Sequence, residues 1–99
     1  MNVRFTPEAE EHVDAIDAWW RANRRDARDL FARELAAAKA IIAAGPKVGK
    51  VYMFLDDEAM RKLYMKKTRH HVYYTYNQDD AEIVIHSVWG TPKQRGPRF

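Results

Sequence analysis

The hydrophobic period of this chain changes once, at Gly45-Pro46, and that change decides which layers it can build. Upstream, Ala9, Val13, Ile16 and Trp20 recur at spacings of four, three and four, which gathers them on one helical stripe while Glu8, Glu11, Asp14 and Asp17 point elsewhere. A second stripe, Leu30, Phe31, Leu35, Ala38, Ile41 and Ile42, follows through an alanine-rich stretch of high helix propensity. Downstream the helical period is gone. Val51 to Leu55, Arg61 to Lys66, Val72 to Tyr76 and Ile83 to Trp89 are short, β-branched or aromatic runs of strand character.

Local signals mark the joints. Val3 to Phe5 is a short β-prone run that stops at Thr6-Pro7, where Thr6 suits an N-cap and Pro7 the first helical position. The first helix is expected to end near Asn23, with Asp26 capping the second. Gly45, tolerant of positive φ, and Pro46, unable to continue a helix, stop it. Asn77-Gln78-Asp79-Asp80 has the residues of a hairpin turn. Two helices on so short a link form an antiparallel hairpin, and neither hides its stripe alone. The expected fold is therefore α+β: an N-terminal strand, then an antiparallel helix hairpin packed on a mainly antiparallel sheet of three to four strands.

Ninety-nine residues fit one domain, since domains cluster near about 100–150 residues, so residues 1–99 are read as one unit. The chain has no cysteine, which excludes disulfides, thiolate metal sites and thiol nucleophiles. The expected compartment is the cytoplasm, with no membrane partner. Charge is divided unevenly. Residues 1–59 carry 9 Lys/Arg and 11 Asp/Glu, whereas residues 60–99 carry 8 and 3, so the C-terminal part is basic and suits an acidic partner. Residues 90–99, with two prolines and basic side chains, read as an extended tail.

The richest cluster runs from Arg61 to Tyr76 and interleaves Arg61, Lys62, Lys66, Lys67, Arg69, His70 and His71 with Tyr64, Tyr73, Tyr74 and Tyr76. Cations bind phosphate and aromatic faces stack on bases, although the same residues also make an ordinary solvated sheet face. Alternation puts Lys62, Tyr64 and Lys66 on one face and Leu63 and Met65 on the other, so the basic side chains should face away from the helices. His70 and His71 are of the type used for acid–base work near neutral pH, but neighbours on a strand face opposite ways. His86 is expected as a half-buried, hydrogen-bonded residue. Glu8 with His12 has two-ligand spacing without a third ligand, and Asp56-Asp57-Glu58 and Asp79-Asp80 fall at turns, so no metal and no cofactor are assigned. There is no phosphate-loop or serine-hydrolase pattern. Trp89, beside Gly90 and the basic tail, has the make-up of a contact anchor as well as of a core residue.

Taken in order, FTPEAEE, IDAWW, FAREL, GPKVGK, RKLYMKKTRHHVYYTY and IVIHSVWG resemble the RelE/ParE toxin family over nearly the whole chain. The resemblance implies the toxin half of a type II toxin-antitoxin pair, with a cognate antitoxin as partner. Val13, Ile16, Trp20, Leu30 and Leu35 are the expected antitoxin face. RelE-like members cut mRNA in the ribosome, whereas ParE-like members are described as poisoning DNA gyrase without a recognised active site. RelE-like enzymes carry Lys and Arg along the central strands, an Arg near the end of the last strand and a Tyr on a C-terminal helix. Here His71 stands at the position of the central-strand arginine, Tyr64 replaces a strand lysine, and little chain follows Trp89. These departures favour the ParE-like branch. Arg61, Lys62, Lys67, Tyr73, Trp89, Lys93 and Arg95 are then expected to meet gyrase. In the alternative, a ribosome-dependent mRNA endoribonuclease, His70 and His71 with Lys66 and Arg69 are the catalytic candidates.

Overall fold

The computed structural model describes residues 2–90 and Pro97. It contains β1 (Asn2–Phe5), α1 (Pro7–Asn23), α2 (Leu30–Ala44), β2 (Lys50–Leu55), β3 (Glu58–Met65), β4 (His70–Asn77) and β5 (Glu82–Gly90). The α+β layering matches the sequence reading, but the sheet has five strands, in the order β1-β5-β4-β3-β2. All four downstream runs pair as an antiparallel meander. The first strand joins it in parallel, with Asn2 opposite Glu82 and Phe5 opposite Ile85. A parallel partner needs a crossover, and the helix pair supplies it.

Thr6 caps α1 as expected: its hydroxyl accepts from the Ala9 amide at 3.1 Å, and Pro7 follows at the first turn. Two joints differ from expectation. Asp26 lies in a 3-10 turn, Arg25–Ala27, and α2 starts only at Leu30, where Asp29 holds the cap position without a side-chain cap bond. Gly45 has φ −150°, extended rather than left-handed, as the residue before a proline is driven to be. The described left-handed residues are Asp56 (φ 49°), Asp57 (φ 66°), Arg69 (φ 65°) and Ala81 (φ 50°), of which Asp56 and Asp57 make a two-residue hairpin loop between the paired Leu55 and Glu58.

The helices cover one face of the sheet, termed inner. Phe31, Leu35, Ala38 and Ile42 from α2 and Ala9 and Trp20 from α1 meet Met65, Val72, Tyr74, Ile83, Ile85 and Val88 in a single core. Where β1 ends, α1 takes over the edge of β5. The Thr6 amide donates to the Ile85 carbonyl at 2.9 Å, and His12 Nδ1 accepts from the Val88 amide at 3.4 Å and lies 3.2 Å from Ser87 Oγ. Groups that a longer β1 would have paired are thus satisfied by the Thr6 backbone and the His12 side chain. No described helix is long and apolar enough to cross a membrane.

Candidate functional site

The site is built on β3 and β4, whose alternation sorts the Arg61-to-Tyr76 cluster onto two faces. Lys62 stands opposite Tyr73 and Tyr64 opposite His71 in the ladder. These four share the outer face, away from the helices. The His71 ring lies 4.9 Å from Tyr64 and 6.0 Å from Tyr73, and Tyr73 packs edge-on to Tyr52 at 4.8 Å. Tyr52 reaches this face through a bulge between Val51 and Met53, and Lys62 Nζ sits 5.5 Å over its ring. Beside them Lys62, Tyr64 and His71 line a cleft of about 540 Å³ that extends to Val48 and Lys50. Burial, and then the Lys62 charge, lower the His71 pKa from its ordinary value and so favour the neutral ring. Burial, reinforced by Tyr52, pushes the Tyr73 hydroxyl up.

His70 points the opposite way. Its ring meets Phe31 at 5.5 Å, edge to face, on the helix side. Burial is the main reason its pKa lies below the usual value, partly offset by the Thr68 backbone and Glu34. His70 and His71 therefore do not form a catalytic pair, and the cations divide with them. Lys62 is near His71, while Lys67 and Arg69 line a cleft with His70. Lys66 is exposed in the β3–β4 turn rather than on the strand face where alternation had placed it, because β3 ends at Met65.

Arg61, expected among the target contacts, is on the inner face. Its guanidinium donates to the Gly49 carbonyl at 2.8 Å and the Lys47 carbonyl at 3.3 Å, bracing the link from α2 to β2. Trp20 and Leu35, expected to meet a partner, are buried in the domain's own core, with Val13, Ile16 and Leu30 partly buried against it. The exposed large apolar side chains of the hairpin are Trp19 and Ile41 instead. Trp89 is half-buried, edge-on to His12 at 5.8 Å. His86 is half-buried with Nε2 2.9 Å from Thr75 Oγ1, and burial is the first cause of its lowered pKa. Lys93 and Arg95 lie outside the described residues, as does most of the expected tail. Gly90 is the last residue of β5, and Pro97 is buried, its carbonyl accepting from the Tyr52 hydroxyl at 3.1 Å.

Glu34 and Thr68 carried no sequence signal, yet they fix the turn that presents Lys67 and Arg69. The Glu34 carboxylate accepts from the Lys67 amide (2.8 Å), the Thr68 amide (2.9 Å) and the Thr68 hydroxyl (2.6 Å). Such charge-assisted bonds are among the stronger ones. Glu34→Ala should cost about 2–3 kcal/mol and speed hydrogen exchange at the Lys67 and Thr68 amides ahead of the rest of β4. Unchanged exchange at those two amides would mean that Glu34 is not what holds the turn.

Three comparisons bear on this arrangement. A family model described as the ParE toxin of a type II toxin-antitoxin system, parDE, matches residues 3–94. Among solved structures the chain is similar to the isolated RelE toxin of E. coli, with a TM-score of 0.61 at 14% identity, over 96% of this chain and 86% of that one. At that identity the likeness concerns the fold. No curated protein matches.

Proposed function

Because the chain belongs to the ParE toxin family of type II toxin-antitoxin systems, we propose that it arrests growth by binding DNA gyrase through the outer sheet face and is neutralised by a cognate antitoxin in the cytoplasm. The observation that carries this reading is the division of the two histidines between opposite faces. Cleaving RNA calls for a base, an acid and a charge stabiliser within reach of one phosphate. Around the outer-face cleft stand His71, Lys50 and Lys62 with Tyr52, Tyr64 and Tyr73, a set better matched to contact than to proton transfer. Lys62, Tyr64 and Tyr73 give it the aromatic and cationic character of interface hot spots.

A second reading has one observation in its favour. His71 and Lys62 line the same cleft, and burial favours the neutral ring, a pairing that would serve a ribosome-dependent ribonuclease as base and stabiliser.

A brief pulse of expression distinguishes the two. Gyrase poisoning gives chromosome breaks and SOS induction with intact messages, whereas the ribonuclease gives codon-phased mRNA cuts with undamaged DNA. His71→Ala supplies the companion result. A lost contact is worth roughly 1–3 kcal/mol of binding, so growth arrest should persist at higher expression. Complete loss of arrest by a folded His71→Ala protein would point to a lost chemical step and to the ribonuclease.

A further inference from the structure

We propose that the cleft between the end of α1 and the β3–β4 turn is a binding site for an acidic peptide segment that carries one bulky apolar side chain. It is distinct from the outer face. The cleft measures about 530 Å³, within the roughly 300–1,000 Å³ of ligand sites in general. Its floor and walls are apolar: Ile16 from α1, and Trp19 and Trp20 crossed edge-on at 74°. Trp19 remains 53% exposed, a large amphipathic ring at the rim of a hydrophobic hollow.

Its charge has one sign. Arg24 enters from the end of α1, with its guanidinium 5.1 Å over the Trp20 ring, and Lys67 and Arg69 enter from the turn. No carboxylate is among the described residues that line it. Glu34, bound to that same turn, has its carboxylate engaged by Lys67 and Thr68. His70, half-buried against Phe31, completes the wall on the turn side. An apolar hollow ringed by cations complements carboxylates flanking an aliphatic or aromatic anchor.

A nucleic-acid strand suits it less well. Stacking needs open ring faces, but Arg24 covers one face of Trp20, and the two indoles cross instead of presenting parallel planes. The identity of the protein that carries the acidic segment rests on the proposed function, where the antitoxin fills that place; the chemistry of the cleft does not.

The test uses the whole chain and a blocked hexapeptide, EELDEE, followed by NMR of the three indole N–H signals. The signals of Trp19 and Trp20 should move and saturate while that of Trp89 stays. EESDEE should bind roughly tenfold more weakly, about the loss expected for one buried aliphatic side chain, and KKLKKK should leave the signals unmoved. Arg24→Glu with Lys67→Glu should weaken EELDEE at least tenfold, whereas Lys39→Glu with Lys47→Glu, the same charge change elsewhere, should leave it near the starting value. The site is overturned if EELDEE moves only Trp89 or nothing, if KKLKKK acts equally, or if a thymidine hexanucleotide displaces the peptide at lower concentration. A chain that expresses without harm in the absence of any partner would remove the antitoxin reading and leave the peptide result standing.

Discussion

Gly49→Ala should lower the stability of this domain by about 3–5 kcal/mol, a large effect for one methyl group. A Cβ at residue 49 would lie 2.7 Å from the Tyr74 hydroxyl oxygen, 2.8 Å from the Lys62 carbonyl oxygen and 3.0 Å from Tyr74 Cε1. Two of these atoms belong to a fully buried ring and the third to the backbone of a central strand, so none gives way easily. The ring is also anchored. Tyr74 donates to the Pro46 carbonyl at 2.8 Å and accepts from the Gly49 amide at 2.9 Å, and burial pushes its hydroxyl pKa up. Overpacking costs about 1–3 kcal/mol, and each buried group left unpaired when the ring is expelled adds about 1–3. Tyr74→Phe alone removes the hydroxyl without the clash and should cost about 1–3 kcal/mol. The double variant should then lose less than the sum, because the alanine methyl no longer meets an oxygen on the ring. Urea unfolding of the four proteins gives the comparison. A Gly49→Ala protein within 1 kcal/mol of the parent, by the calibration of denaturant curves, would show that the link from α2 to β2 moves aside freely.

Phe31→Ala should bring the domain close to unfolding. Phe31 is fully buried at the first turn of α2, inside the one core, and forms the wall against which His70 packs. Removing a buried phenylalanine typically costs about 3–5 kcal/mol, and native domains of this kind have only about 5–15 kcal/mol in total. At roughly 4–8 °C per kcal/mol for a domain of this size, the midpoint should fall by about 15–30 °C. Ile41→Ala on the same helix provides the contrast. Ile41 is 50% exposed, and its loss should fall near the ±0.5 kcal/mol of ordinary surface changes. Calorimetry on the pair decides. Equal losses from the two variants would mean that the buried stripe of α2 has been assigned to the wrong side chains.

Both predictions concern residues whose place was partly legible in the sequence. The stripe containing Phe31, Leu35, Ala38 and Ile42 follows from spacing alone, and all four are buried. Thr6-Pro7 announced the start of α1 for reasons confined to a few residues. The alternation of β3 placed Lys62 and Tyr64 together and Leu63 and Met65 opposite them, and the end of β3 at Met65 removed Lys66 from the set. What was hidden depends on partners distant in sequence. Nothing near Arg61 says that its guanidinium braces Lys47 and Gly49, and nothing near Glu34 says that it holds Thr68. Trp19 was nearer to legible, since a stripe that claims Trp20 must turn its neighbour outward. The same geometry accounts for the burial of Trp20 and Leu35, two of the side chains expected to meet a partner. A stripe apolar enough to dock a second protein is apolar enough to be buried by the chain's own sheet, and the sheet holds it covalently near at hand.

The parallel ladder between β1 and β5 has a consequence for the time at which this protein comes into being. Residues 2–5 leave the ribosome well before their pairing partners, residues 82–85, have been made. At about 5–20 residues per second, the opening strand waits roughly 4–16 s for the strand it joins. Until then β5 is absent, and with it Ile83, Ile85 and Val88, the residues that close the core under α1. Long-range pairing of this kind slows folding because the loop must be closed before the contacts that reward closure exist. A growing chain therefore carries its helices uncovered until β5 has been made, and any surface that needs the finished sheet appears only after that. For a protein that has to be met by a partner, the window for meeting it begins when the last strand arrives.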